Sequence, residues 1–263
     1  MELSMLKEYI NLSDALKDPS KVYKLHLSDP LKDQVSIIAI LKFKNLQYLY
    51  LDGTGLDALP PETGLLKNIQ RLNIADNNIR AIPESITKLK NLQTINLANN
   101  PNLNIDNTLE KLSKLSNLKN IDLGGNNLSL ILEGLYKFTD LEVLELNDNQ
   151  LTEVPSDISK FKSLKALYLH NNKISVIHKN ISKLEELKTL DLMNNEIHKL
   201  PDEIVKLENL QWLKLKGNKL ITLPAKIGEL QNLHGLDLSD NQLADYEKKR
   251  IMRIFSHNIN VML

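Results

Sequence analysis

The chain has 263 residues, with 33 basic against 33 acidic ones, and this balance weighs against a nucleic-acid binder, which carries a basic surplus or stripe. Hydrophobic residues make up 42% and aromatics only 5%, so the core is aliphatic, and the absence of cysteine excludes disulfides, thiolate nucleophiles and Cys-ligated zinc. No apolar run approaches the ~18 residues of a membrane-spanning helix, and the opening MELSMLKEYINL lacks the apolar stretch of a signal peptide.

Residues 3–17 place Leu3, Leu6, Ile10, Leu12, Ala15 and Leu16 at helical spacing, with Ser13 available to cap a last short helix and Pro19 to stop it. Residues 1–21 therefore read as an N-terminal helical cap. From Val22 onward one string, LxxLxLxxNxL, recurs. A degenerate copy opens at Val22, and regular ones open at Leu46, Ile69, Leu92, Leu118, Leu141, Leu164, Leu187, Leu210 and Leu233. The regular copies are spaced by 23 residues, except for 26 between Leu92 and Leu118. The fourth and sixth places alternate with polar residues, the period of a short strand. Leu72 and Ile74, Leu144 and Leu146, Leu190 and Leu192 point one way; Asn73, Glu145 and Asp191 point the other. One copy cannot bury its own apolar face, whereas stacked copies bury a continuous core beneath a parallel sheet with strands ~4.8 Å apart.

The ninth place reads Thr54, Asn77, Asn100, Asn126, Asn149, Asn172, Asn195, Asn218 and Asn241. Asparagine is donor and acceptor at once, so it satisfies backbone groups where the chain turns away from the strand. Return segments such as IPESITKLKN and LPDEIVKLEN carry a proline suited to the first turn of a short helical or 3-10 segment. A lysine recurs there at Lys42, Lys88, Lys114, Lys137, Lys160, Lys183 and Lys206. Glu84–Lys88, Glu110–Lys114, Glu133–Lys137 and Asp202–Lys206 have i,i+4 spacing with the acid first, and each such pair contributes roughly 0.2–0.5 kcal/mol. The copy at Leu92 has three extra residues. The next one lacks the proline and carries Leu130 and Tyr136, apolar beyond the template and a candidate self-association patch. His178 replaces the template proline in a later copy, with no evident purpose. In residues 244–263, Ile251, Ile254 and Phe255 share a helical face and NINVML alternates like a strand, a helix–strand C-terminal cap.

The pattern over residues 22–243 resembles the leucine-rich repeat family in its bacterial-type 23-residue LxxLxLxxNxLxxLPxxIxxLxN form. The resemblance implies a single α/β domain over 1–263: a right-handed horseshoe solenoid of about ten repeats with a parallel concave sheet and short helical or 3-10 convex turns. It also implies an asparagine ladder at the ninth place, weakened at Thr54. It implies binding rather than catalysis and leaves the ligand open.

Binding side chains are sought in the outward columns of the sheet. Trp212, the only tryptophan, falls in the third-place column, and exposed aromatics are the usual anchors of an interface. Tyr168, Met193 and Lys214 lie on its own or neighbouring copies. Asp122, Glu145 and Asp191 make the fifth-place column acidic and favour a basic or polar partner, while Tyr48 and Tyr50 form a separate aromatic pair. Those carboxylates sit on an open sheet with no apolar pocket to shift them, and HExxH, GxSxG and phosphate-loop strings are absent, so no catalytic residue is assigned. Asp76, Asp148 and Asp240 are loop residues rather than a converging calcium site, and no metal or cofactor is expected.

The sequence thus predicts a non-enzymatic scaffold, monomeric or weakly dimeric, that recognises a protein or peptide on the concave sheet, with no nucleic acid and no membrane insertion. It is expected to be cytoplasmic as given. The alternative is a secreted or surface-attached protein binding carbohydrate or a host molecule, if a signal segment precedes this chain; Asn-x-Ser strings at Asn11, Asn127 and Asn180 do not distinguish the two.

Overall fold

A computed structural model describes residues 7–31, 38–255 and 259–263. They fall into two compact units, 1–126 and 127–263. In each unit the fourth place of every LxxLxL string lies in the middle of a three-residue strand, and the fourth- and sixth-place leucines and isoleucines are buried.

In the first unit six strands run parallel in chain order. They are β1 (Glu8–Tyr9), β2 (Lys24–His26), β3 (Tyr48–Tyr50), β4 (Arg71–Asn73), β5 (Thr94–Asn96) and β6 (Asn120–Asp122). The expectation of helix across 3–17 holds only at α1 (Leu12–Ala15), while Leu3 and Leu6 lie outside the described residues. Glu8–Tyr9 instead pairs with Lys24–Leu25 as an edge strand. Local apolar spacing cannot register a partner sixteen residues away. Asn11, not Ser13, caps α1 by accepting the Asp14 N–H at 2.8 Å. The three extra residues of the copy at Leu92 build α2 (Ile105–Leu112), capped by Asn104. Eight residues at ~1.5 Å rise span about what five 3-10 residues do at ~2.0 Å, so the longer copy keeps the stacking distance.

In the second unit the main sheet is β7 (Val143–Glu145), β9 (Ala166–Tyr168), β11 (Thr189–Asp191), β12 (Trp212–Lys214), β13 (Gly235–Asp237) and β14 (Asn260–Met262). A second, parallel pair joins β8 (Glu153–Val154) to β10 (Val176–Ile177). The helix α3 (Asp245–Ile254) precedes β14. Return segments in both units are 3-10 turns, for example Glu84–Lys88 and Asp202–Lys206. Pro83, Pro155 and Pro201 sit one residue before these turns in extended backbone and offer the carbonyl that accepts the first bond.

The 3-10 geometry also corrects the i,i+4 ion pairs. In the turns of Glu84, Glu133 and Asp202, with three residues per turn, side chains at i and i+3 eclipse and those at i+4 do not face, whereas Glu110 lies in α2 and Lys114 falls beyond its end. Among the described residues none of the four expected pairs closes. Asp157 bridges Lys160 at i,i+3 (2.7 Å), and Glu84 reaches Lys114 of the next copy (2.9 Å).

Two asparagine ladders tie copies together. At the ninth place, Asn172 donates to the Leu146 carbonyl of the preceding copy (3.0 Å) and to Leu169 of its own (3.0 Å), and accepts the Leu151 N–H (3.0 Å). Asn77, Asn100, Asn195, Asn218 and Asn241 repeat this arrangement. The Thr54 hydroxyl donates to the Leu51 carbonyl of its own copy (2.7 Å), with Asn77 Oδ1 of the next copy at 3.4 Å, and among the described residues reaches no earlier copy. The last asparagine of the LxN return forms a second ladder. Asn68, Asn91, Asn117, Asn209 and Asn232 each donate to a backbone carbonyl of the copy before, at 2.7–2.9 Å. Just before the ninth place, Asp76, Asn99, Asp148, Asn171, Asn194 and Asp240 have φ of 52–57°, the left-handed region that Asn, Asp and Gly best tolerate. This is the structural role of the loop aspartates.

His178 acquires a purpose. Its Nδ1 accepts the Asn180 N–H at 3.1 Å, and its own N–H donates to the Val154 carbonyl at 2.9 Å beside the β8–β10 pair. A proline can do neither. Restoring the template with His178→Pro should therefore destabilise the second unit by about 1–2 kcal/mol, read as a lower urea midpoint, from two lost hydrogen bonds at ~0.5–1.5 kcal/mol each, partly offset by proline's restriction of the unfolded chain. An unchanged or higher midpoint would show that the histidine contributes nothing.

Candidate binding face

The outward columns are not equally open. In the fifth place, Asn73, Asn96, Asp122, Asp191 and Asp237 turn a side-chain oxygen back to accept the N–H two residues ahead, at 2.8–3.2 Å. This Asx turn closes the end of the strand. Part of the acidic column is thus structural. Asp191 is only 2% exposed, and its other oxygen is bridged by Lys214 of the next copy at 3.1 Å. It is not the free, partner-facing acid that its column position suggests; burial of a carboxylate requires such a partner. Asp122, in the first unit, and Glu145, in the second, are half-buried.

The first unit's aromatic pair is also less open than expected. Tyr48 is 6% exposed, with the Arg71 guanidinium 5.8 Å from its ring centre and its hydroxyl donating to Gln70. Tyr50 is half-buried beside the His26 ring (5.5 Å) and the Lys24 ammonium (5.8 Å). Long neighbours at third and fifth places lie across these rings.

In the second unit the structure brings Trp212, Met193 and Lys214 together. They line a cavity of about 260 Å³ whose other walls include Gly235, Asp237, Asn260 and Met262. Trp212 is 44% exposed and Met262 is also exposed. Trp212 and Gly235 are directly paired across β12 and β13. A Cβ on residue 235 would lie 2.5 Å from the indole Cε3 and Cζ3. Glycine is therefore what lets the ring lie across the next strand, a role that a column read one residue at a time did not reveal. His234 meets the indole edge at 6.3 Å. Tyr168 is half-buried, pairs with Asp191, and stands outside this cavity. Leu130 is 56% exposed on the return side, where Tyr136 is half-buried against Phe161. Among the described residues no group of three or more His, Asp or Glu could hold a metal, and no helix is long and apolar enough to cross a membrane.

A family model described as a leucine-rich repeat region matches residues 20–156 and 149–252, whereas no curated protein matches the chain. Among solved structures, a leucine-rich repeat protein of Leptospira interrogans is 25% identical over 98% of this chain and 100% of its own, with a TM-score of 0.51. An internalin from Listeria monocytogenes superposes with a TM-score of 0.70 at 19% identity, over 92% of this chain and 74% of its own. Drosophila Toll in complex with Spatzle gives 0.57 at 19% identity, over 86% of this chain and 38% of its own. Strand, asparagine turn and 3-10 return recur through the stretch that the family model matches, and the chain belongs to the leucine-rich repeat family.

Proposed function

We propose that the chain is a non-enzymatic recognition module that binds a protein or peptide on the strand face of its second unit, with Trp212 as anchor. The carrying observation is the lone indole, partly exposed in a cavity lined by Met193 and Met262. Leucine-rich repeat domains are typically protein-interaction modules, which supports the reading, and the similar Toll structure is a complex with a protein. Lys214, held by buried Asp191, supplies a fixed polar rim. A face built on stacked strands is formed before the partner arrives, so little ordering entropy is lost on association. Lys214 is paired with Asp191, and Asp237 accepts from the Ser239 N–H and hydroxyl, an arrangement that suits an uncharged apolar side chain. Asp122, Glu145, Tyr168, Tyr48 and Tyr50 do not line the cavity.

A peptide display library panned on the full chain tests this. Selected peptides should carry an apolar anchor, shift Trp212 emission to the blue on binding, and lose at least ~10-fold in affinity on Trp212→Ala. Burial of about 150–250 Å² of indole is worth roughly 4–6 kcal/mol gross, well above the ~1.4 kcal/mol of a tenfold change. Gly235→Ala, which displaces the ring, should weaken binding likewise. Binders indifferent to both substitutions would move the site elsewhere.

A further inference from the structure

The return side of the second unit carries a groove that the strand-face reading does not use. It forms where the copy at Leu118 lacks its proline, and encloses about 590 Å³. Its apolar floor is Leu130, Ile131 and Tyr136, and its charged residues are Glu133, Glu153 and Asp157, all acidic. Asp157 is bridged by Lys160, whereas Glu133 and Glu153 make no ion pair among the described residues. Tyr136 is fixed by Phe161 (5.4 Å between rings) and by the Lys160 ammonium 5.1 Å from its ring centre. Burial, with the Asp157 and Glu153 carboxylates nearby, pushes its hydroxyl up to about 12, so it remains a neutral donor on the floor.

The same unit displays the complement. Helix α3 buries Glu247 and Ile251, and the opposite face carries Tyr246, Lys249 and Arg253 at i, i+3 and i+7, with Asp245 and Met252 beside them. Tyr246, Lys249, Met252 and Arg253 are exposed, and Lys249 and Arg253 make no ion pair among the described residues. One surface is thus apolar with two unpaired acids and the other apolar with two unpaired bases.

We propose that the acidic groove at Leu130 and Tyr136 receives the basic outer face of α3 from a second copy of this chain. Groove and helix are different surfaces of one copy, so two copies exchange them reciprocally in a two-fold dimer or pass them on head-to-tail. The apolar pairs, Leu130 and Tyr136 against Tyr246 and Met252, give cohesion. The charges fix orientation and make the contact salt-dependent.

Sedimentation of the full chain from about 10 to about 500 μM tests it, a range suited to a contact below ~1,200 Å². The average mass should climb above 30.0 kDa with concentration, and fall back at about 0.5 M salt as charges are screened. E133K/E153K alone and K249E/R253E alone should each remain monomeric with unaltered circular dichroism. Mixing the two variants, or combining all four substitutions in one chain, should restore association because opposite charges again meet. A wild-type mass of 30.0 kDa throughout the range would overturn the proposal. So would association that survives either reversal, as expected of a different partner surface, or a mixture that fails to restore it.

Discussion

Replacing Asn172 with alanine should destabilise the second unit by about 3 kcal/mol, an effect as large as that of a core truncation, although no apolar surface is lost. The amide closes three gaps at once. Its Nδ2 satisfies the Leu146 and Leu169 carbonyls and its Oδ1 satisfies the Leu151 N–H, all in buried surroundings. Each buried group left unpaired costs about 1–3 kcal/mol, and relaxation or a water recovers part of the sum. Aspartate should be no better, because it sets an acceptor against two carbonyl oxygens. Threonine should fall between asparagine and alanine, since Thr54 shows what a hydroxyl retains: a bond within its own copy and a long contact to the next, but none to the copy before. The converse change, Thr54→Asn, should stabilise the first unit by about 1 kcal/mol through the missing bond to the copy before. Urea midpoints rank these variants, and hydrogen exchange at the Leu151 amide localises the effect. Full protection of that amide in Asn172→Ala would show that the ladder holds nothing there.

The same bonds explain how far the sequence could be read. A 23-residue period carries the repeat because every copy must solve the same backbone problem: an apolar fourth and sixth place, a left-handed eighth residue and an amide at the ninth. What the period cannot carry is the identity of the neighbour 23 residues away. Asp191 looks like a free acid in its own copy and is buried because the next copy supplies Lys214. Tyr48 looks like an open aromatic and is covered because the next copy supplies Arg71. In the same way Gly235, unremarked in its column, makes room for Trp212. Reading columns across copies, rather than along them, would have found these pairs, since direct register brings Tyr48 opposite Arg71, Asp191 opposite Lys214 and Trp212 opposite Gly235. The return side was harder. The i,i+4 spacing presumes an α-helix, and nothing local distinguishes it from the 3-10 turn that moves Glu84 to Lys114. Likewise β1 depends on a pairing with β2 that no helical spacing encodes.

The C-terminal cap should detach in acid, and Glu247 should be the residue responsible. It is 2% exposed, yet charged. Arg250 donates to it through Nε (2.7 Å) and Nη2 (2.6 Å), the Leu223 N–H at 2.9 Å and the Thr222 hydroxyl at 3.0 Å. The hydrogen-bonded guanidinium, opposed by burial and aided by the Leu223 and Thr222 donors, holds the carboxyl at about 2, against about 4.5 for an ordinary glutamate. A carboxylate whose folded value is depressed contributes stability that is complete above its unfolded value and disappears as pH falls through the folded one. The window is therefore about pH 4.5 down to about 2, and the difference corresponds to about 3 kcal/mol. Glu247→Ala should cost about 3–5 kcal/mol at neutral pH, because it leaves the Leu223 N–H and part of the Arg250 charge without an acceptor. Glu247→Gln should cost less but remove the acid dependence. Release is readable at one position: β14 follows α3, and its Asn260 and Met262 wall the Trp212 cavity, so a loosened cap opens the only tryptophan to water. Trp212 emission should redden between pH 4.5 and 2 in the wild type, redden already at neutral pH in Glu247→Ala, and stay nearly flat with pH in Glu247→Gln. The depressed carboxylates of Asp14, Asp18, Glu84 and Glu196 are exposed partners of lysines, common to all three proteins, and cancel in the comparison. If Glu247→Gln follows the wild-type acid profile, the buried pair is not what seats the cap, and the wall of the Trp212 cavity is held by the apolar contacts of Ile251 and Phe255 alone.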